Sequence, residues 1–148
     1  MKIGAHVSTA GGISNAIVRG QKIGCEAIQI FGSSPQAWAF KAIPGDQIEC
    51  FEQGLIDSGI GPVFLHAIYL EKLGTPSKGN LQKGIDSLIN YTSLAAEIGA
   101  EGVIVHPGSH GGKGFEAMLP QEVNALKIVL DASAEGPVLA MENMAGTG

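Results

Sequence analysis

Short apolar runs alternate along the chain with longer segments in which apolar residues recur every three or four positions. The short runs predict five strands, at residues 2–6, 27–31, 62–66, 102–106 and 138–142. The longer segments predict amphipathic helices between them. Because strands buried on both faces of a parallel sheet are apolar throughout, this alternation predicts a parallel α/β fold of about four and a half βα units.

The longest predicted helix spans about residues 80–98, and Gly99 is placed to end it. Its apolar stripe alternates spacings of three and four, at Leu81, Ile85, Leu88, Thr92, Ala95 and Ile98. Asp46 and Glu49 have the spacing of a capping box and predict the start of an earlier helix. Pro120 suits the first turn of a later helix. The buried face of that later helix is predicted to carry Val123, Leu126 and Leu130.

Two architectures accommodate this pattern. The chain has 148 residues, enough for one domain, and no composition shift or linker marks a second. It could be a complete flavodoxin-like open sheet, or part of a (β/α)8 TIM barrel, which typically needs ~250 residues. In either case residues 1–148 are predicted to form a single domain.

The net charge limits the kinds of ligand that the chain can attract, and the cysteines indicate its cellular compartment. The net charge of −5 gives no overall positive field to attract nucleic acid or a membrane surface, so an anionic ligand would have to be held locally. No apolar run reaches the ~18 residues of a membrane span. Cys25 and Cys50 lie in apolar segments without CxxC spacing, which predicts free buried thiols and a cytoplasmic protein.

Three of the four histidines, His6, His66 and His106, end predicted strands, and Glu142 ends the fifth. The carboxyl ends of parallel strands lie at one edge of the sheet, where ligands bind in α/β folds. Imidazoles and a carboxylate are the usual ligands of a catalytic zinc ion. Each histidine alone would more often be structural, but the set predicts a metal site.

The segment 106–110 has HxxxH spacing, but Pro107 and Gly108 prevent the helix that a zincin motif needs. It predicts a strand end followed by a turn. His110 is then a candidate for a hydrogen bond to the metal-binding side chains, a phosphate contact or a surface position. The glycine-rich segment 108–114 does not match a phosphate-binding P-loop.

Two loops place aromatic residues beside the same edge. Trp38 follows the second strand, and Tyr69 with Leu70 lies shortly after His66. Such side chains can wedge between nucleic-acid bases or stack on them. Trp38 could equally belong to a small core beneath its loop.

Four motifs together carry a family resemblance: HVSTAGG at residues 6–12, HAIYL at 66–70, HPGSH at 106–110 and ENMAG at 142–146. In order and spacing the chain resembles the N-terminal half of the endonuclease IV family, the zinc-dependent apurinic/apyrimidinic endonucleases of base-excision repair. The resemblance implies a (β/α)8 barrel nearly twice this length, here an incomplete barrel. It also implies three Zn2+ ions at the C-terminal face of the complete barrel.

The resemblance also implies roles for individual residues. The metal ligands would be His66, His106 and Glu142, and Glu142 would be the catalytic carboxylate that bridges two metals. The DNA-binding residues would be Gln36, Tyr69 and Leu70, of which the last two fill the gap left by a missing base. His6, like His110, is a candidate partner for the metal-binding side chains. The implied reaction is hydrolysis of the phosphodiester 5′ to an abasic site in double-stranded DNA.

The chain also departs from the family pattern. Glu71 and Lys72 replace an apolar–Asn pair, which is expected to add an acidic group near the DNA path. The later segments that complete the family's metal cluster are absent from these 148 residues. We therefore expect at most one or two bound zinc ions, little or no turnover by this chain alone, and self-association through exposed half-barrel edges. Two alternatives stay open: a metal-dependent sugar isomerase or epimerase, and a catalytically silent zinc-binding half-barrel.

Overall fold

The computed structural model describes residues 1–106, 108, 110–133 and 135–144. Within these ranges strands and helices alternate along the whole chain. In order they are β1 (Gly4–His6), α1 (Asn15–Lys22), β2 (Ala27–Phe31), α2 (Gly45–Ser58), β3 (Val63–His66), α3 (Lys78–Glu97), β4 (Gly102–Val105), α4 (Phe115–Ala132) and β5 (Val138–Met141). All five predicted strands are therefore confirmed, with ends that differ by two residues at most.

The strands form one parallel sheet in the order β1-β2-β3-β4-β5. Each strand thus lies beside the next one in the chain. A flavodoxin-like sheet would have the order 2-1-3-4-5, whereas sequential order is that of a (β/α)8 barrel. Among the described residues β1 and β5 do not pair, so the sheet is an open, incomplete barrel.

The two faces of the sheet differ in what covers them. Side chains alternate between the faces along each strand, and the helix-covered face holds fully buried residues such as Ile30, Leu65 and Val103. The intervening residues of each strand point to the opposite face. They include His6 and Gln29, which are register partners on β1 and β2. Helix packing therefore covers one face, while the other presents polar and aromatic groups.

Helix α3 confirms the predicted apolar stripe. It begins at Lys78, two residues earlier than predicted, because the hydroxyl of Ser77 accepts a hydrogen bond from the Asn80 amide and caps the helix. Gly99 follows its C-terminus with a φ of 65°, a conformation that glycine adopts without strain.

Helices α2 and α4 depart from expectation at their N-termini. The predicted capping box is wrong, because α2 begins at Gly45 after Pro44 and has no side-chain cap. Helix α4 begins at Phe115, so Pro120 lies inside it rather than in its first turn. At this position proline has no amide to donate to the Glu116 carbonyl, and its ring lies against that carbonyl.

The buried face of α4 also differs from the predicted one. Val123 and Leu130 are exposed, and Leu126 is half-buried. A different set is buried, on the side of the helix that packs against α3, comprising Met118, Glu122, Ala125 and Val129. This face includes the small residue Ala125 and the polar residue Glu122. The pattern of apolar residues alone therefore does not identify it.

Two further features bear on the sequence predictions. Cys50 is exposed and Cys25 is half-buried, so the prediction of two buried thiols is wrong, although both are free. Neither in α3 nor in any other described helix is there an apolar stretch long enough to cross a bilayer.

Candidate metal centre

His66, His106 and Glu142 meet at the carboxyl edge of the sheet. The Nε2 atom of His66 lies 3.5 Å from Oε2 of Glu142, and the Nε2 atom of His106 lies 3.9 Å from the same oxygen. One ligand atom from each residue lies within 4.8 Å of the other two. Of the described residues, these three form the group that could hold a metal ion.

The register of the strands explains why these side chains converge. His66 is the last residue of β3, His106 directly follows β4, and Glu142 directly follows β5. His66 pairs with Ile104, and Ile104 pairs with Ala140. Because side chains alternate with a period of two, His106 and Glu142 lie on the same face as His66. The amide of Glu142 continues the ladder by donating to the Val105 carbonyl over 2.9 Å.

Hydrogen bonds orient the two imidazoles. Nδ1 of His66 lies 2.7 Å from the carbonyl oxygen of Ala67, and because a carbonyl only accepts, this nitrogen carries the proton. Nε2 of His66 is therefore free to bind a metal. His106 makes a longer contact, 3.4 Å from its Nδ1 to the carbonyl oxygen of Glu142. His66 is thus buried and fixed, whereas His106 is more exposed and more weakly held.

The donor set fits zinc. Two imidazole nitrogens and one carboxylate oxygen are the ligands of His2Glu catalytic zinc sites, which keep a fourth position open. Ligand atoms around a tetrahedral zinc ion lie ~3.4 Å apart. The contact between His66 and Glu142 is close to that separation, and the contact between His106 and Glu142 is 0.4 Å longer than the first. The Glu142 side chain is about half exposed, so the site is open to a ligand.

His6 and His110 lie outside this group. His6 ends β1, shares a hydrogen bond with Gln29 over 2.9 Å, and has its ring centroid 5.9 Å from that of His66. Burial, and secondarily the charge of His66, lowers the pKa of His6. Nδ1 of His110 accepts hydrogen bonds from the amides of Gly112 and Gly114, so this ring shapes its own turn.

The residues predicted to touch DNA lie on two neighbouring loops. The Gln36 loop (residues 32–44) follows β2, and the Tyr69 loop (residues 67–76) follows β3. They are joined by a hydrogen bond from the Tyr69 amide to the Pro35 carbonyl, at 3.0 Å. Gln36 is exposed at the tip of its turn, and Tyr69 is 54% exposed, whereas Leu70 is half-buried against the core.

Tyr69 extends the metal centre with an aromatic rim. Its ring lies 5.7 Å from the His66 ring and 5.5 Å from the Phe31 ring, both edge-on. Phe31 and His66 are register partners on adjacent strands. Trp38 instead packs against the core, with the Lys83 ammonium 6.0 Å from its ring centre, which favours the small-core alternative for this residue.

The expectation for Glu71 is wrong. Its side chain is buried, with 4% of its surface exposed, so it adds no acidic group to the surface beside Tyr69. The segment around it turns inward, since the Glu71 amide donates to the Ile68 carbonyl and Leu73 is buried. Lys72 next to it is exposed.

Three polar residues form hydrogen bonds that hold the loops and strands around the site. These residues were not apparent as functional from the sequence. The Tyr91 hydroxyl contacts both the amide and the hydroxyl of Ser33 at 3.0 Å. The Gln121 amide donates to the carbonyls of Leu73 and Thr75. Gln29 faces His6, and its place as a polar residue inside an apolar strand is the one signal visible in the sequence.

A family match adds to this geometry. Residues 18–148 match the family described as xylose isomerase-like TIM barrel. The chain belongs to that family. Membership agrees with the sequential parallel strand order, so the predicted fold class is confirmed.

Within the family, the most informative relatives are endonucleases. A protein of Halothermothrix orenii named "Probable endonuclease 4" is 35% identical over 148 residues, covering all of this chain and 53% of the relative. The structure of endonuclease IV from Thermus thermophilus superposes with a TM-score of 0.85 at 35% identity, covering 100% of this chain and 54% of that one. The chain therefore spans about half the length of the relatives it matches. The resemblance to endonuclease IV predicted from the four motifs is confirmed.

A sugar-modifying relative shares only the architecture. The 3-keto-D-glucoside 4-epimerase of E. coli superposes with a TM-score of 0.70 at 13% identity, over 97% of this chain and 57% of that protein. At this identity the likeness shows the fold alone.

Proposed function

We propose that this chain supplies the first metal-binding strands and the DNA-contacting loops of a zinc-dependent endonuclease that cleaves DNA at abasic sites. The observation that carries the proposal is the convergence of His66, His106 and Glu142 beside the exposed ring of Tyr69. Relatives named endonuclease 4 or endonuclease IV support it. The site residues themselves are proposed on geometry and on the motifs.

The charge of the chain favours a metal as the phosphate-binding group. The net charge is −5, and the only arginine, Arg19, donates to the carbonyls of Ser8 and Ala10. A further cation at this edge would attract a DNA backbone. Zinc held by the three side chains would supply it and would stabilise negative charge on the phosphodiester oxygens.

The protein groups around the site have separate tasks in this proposal. The Ala67 carbonyl keeps the proton of His66 on Nδ1, so that Nε2 faces Glu142. Tyr69 offers an exposed ring beside the site, and a ring of this kind can occupy the space of a missing base. An abasic nucleotide requires little free energy to extrude because no base has to be unstacked. Gln36 is placed on the adjoining loop to contact the duplex.

A binding experiment tests this assignment. With one equivalent of zinc, fluorescence anisotropy should show tighter binding to a duplex with one abasic site than to the same duplex without it. Tyr69→Ala should remove most of that preference, whereas the matched variant Tyr69→Phe should retain it, because the ring rather than the hydroxyl fills the gap. Equal affinity for both duplexes, or no effect of Tyr69→Ala, would contradict the proposal.

Turnover is a separate matter. In a nicking assay on the same abasic duplex, we expect the 148-residue chain to show little or no turnover, since the three side chains form part of a larger metal cluster in the family. Repeated turnover at the abasic site would contradict this part of the proposal. Self-association and a cytoplasmic location stay predictions from the sequence.

A further inference from the structure

Glu71 is a buried carboxyl in the Tyr69 loop. It is 4% exposed, and within the described ranges neither carboxyl oxygen has a hydrogen-bond partner. Burial raises the pKa of Glu71 to about 8, and the nearby Ser87 hydroxyl acts to a smaller degree in the opposite direction. A buried polar group of this kind is costly once it is charged. It therefore requires an explanation.

The Tyr69 loop lies against one face of α3. Gly84, Ser87 and Tyr91 follow one another at helical spacing along that face. A Cβ at Gly84 would lie 3.9 Å from the Glu71 Cα and 3.4 Å from the Leu73 side chain, which are van der Waals distances. The Tyr69 loop therefore packs closely against this face of α3.

The same helix face holds the second loop. Tyr91 interacts electrostatically with Glu71, which contributes to raising the pKa of Tyr91 after the larger effect of burial. The Tyr91 hydroxyl in turn binds Ser33 of the Gln36 loop. The two loops also join directly through Tyr69 and Pro35. Glu71 thus belongs to one of the two loops that carry the proposed DNA contacts and interacts with Tyr91, which binds the other.

The other charged groups nearby have different neighbours. Lys72 is exposed, and Lys83 of α3 lies over the Trp38 ring. On α4, Glu122 faces His110, whose charge partly offsets the rise that burial causes in the pKa of Glu122. From α3, Tyr91 is the titratable side chain that interacts with Glu71 in the described part of the chain. A charge on Glu71 is therefore left without a cation to balance it.

We propose that Glu71 is a positioning residue: its protonated carboxyl lets the Tyr69 loop and the Gln36 loop rest on α3, and its ionisation loosens both. When the proton leaves for water, the Ser87 hydroxyl offsets only part of the cost of a buried carboxylate, and movement of the Tyr69 loop would hydrate it. The consequence for DNA rests on the proposed function, while the loop movement does not.

Trp38 gives a direct probe of the movement. It is the only tryptophan in the chain and lies in the Gln36 loop. Its fluorescence and its quenching by acrylamide should change between pH 6 and 9.5, with a midpoint near pH 8. Glu71→Gln and Glu71→Leu should both abolish this change, because neither side chain ionises. Glu52→Gln, which alters an exposed glutamate of α2, should leave it intact.

The outcomes separate cleanly. A flat wild-type profile, or a transition that survives in both Glu71 variants, would overturn the inference. A transition that disappears only in the Glu71 variants would support it. In the DNA arm, affinity for the abasic duplex should fall more between pH 6.5 and 9 for wild type than for Glu71→Gln. An absence of abasic preference at every pH, with the Trp38 transition intact, would count against the proposed function and not against the role of Glu71.

Discussion

Two glutamates at the same edge of the sheet have opposite surroundings. Glu142 is half exposed and faces two imidazoles, whereas Glu71 is buried beside α3 without a hydrogen-bond partner among the described residues. Burial of Glu71 favours its neutral acid form. The residue type alone therefore does not tell whether an acid in this fold serves as a ligand or as a protonated buried group.

The difference arises from backbone placement. Glu142 directly follows β5, in the side-chain phase that His66 and His106 share. Glu71 lies in a loop that folds back on Gly84. A strand end gives a side chain a fixed direction toward a common edge, while a loop can turn the same side chain inward.

Removal of the exposed glutamate should have the largest effect. Glu142→Gln keeps the shape but loses the charge of the ligand, so zinc affinity should fall by more than ~100-fold, given that even outer hydrogen-bond partners of a metal site contribute roughly 10–100-fold. Isothermal titration with zinc measures the change. Glu101→Gln, an exposed glutamate at the amino edge of the sheet, is the control. If both variants lost zinc affinity to the same extent, Glu142 would not be a zinc ligand.

Removal of the buried charge should have an intermediate effect that depends on pH. The pKa of Glu71 is about 8 in the folded protein and near 4.5 when unfolded, so between these values the folded state keeps a proton that the unfolded state releases. The free energy of unfolding therefore falls as pH rises through this window, by at most ~1.4 kcal/mol per pH unit. Between pH 5 and 7.5 the free energy of unfolding, measured by urea titration, should therefore fall less in Glu71→Gln than in the wild type. The difference should be on the order of 2 kcal/mol.

The control for that measurement is again Glu52→Gln, which should retain the wild-type slope. A Glu71→Gln variant with an unchanged slope would mean that the carboxyl is already ionised in the folded protein, and the contrast between the two glutamates would disappear.

The smallest effect concerns the support of the Tyr69 loop from α4. Gln121→Ala removes the donor to the Leu73 and Thr75 carbonyls and should lower the free energy of unfolding by about 1 kcal/mol. Gln53→Ala, which removes an exposed contact to Asp57, should cost less. If both cost the same in urea titrations, Gln121 does not anchor this loop.

Much of the fold could be predicted from periodicity. The five strands and the buried stripe of α3 follow from local apolar patterns, and the shared position of His66, His106 and Glu142 at strand ends follows from them in turn. Sequence alone left the flavodoxin-like alternative open, because strand order is a property of long-range pairing. The register and the family comparison decide it.

The errors concern features that depend on tertiary packing. The preference of proline for a helix start is local and misplaces Pro120, because the packing of α4 extends the helix by a further turn. The sequence pattern places Glu71 at the surface, because nothing in its neighbourhood in sequence shows that its loop packs against α3 near Gly84. Tyr91 illustrates the same point, since its partner Ser33 lies 58 residues away.

X-ray absorption at the zinc edge tests the zinc assignment most directly. With one equivalent of zinc bound to the chain, we predict a first coordination sphere of nitrogen and oxygen, with the outer scattering of two imidazoles and one carboxylate, and with that pattern lost in Glu142→Gln. A sphere containing sulfur from Cys25 or Cys50, or one unchanged by Glu142→Gln, would contradict it.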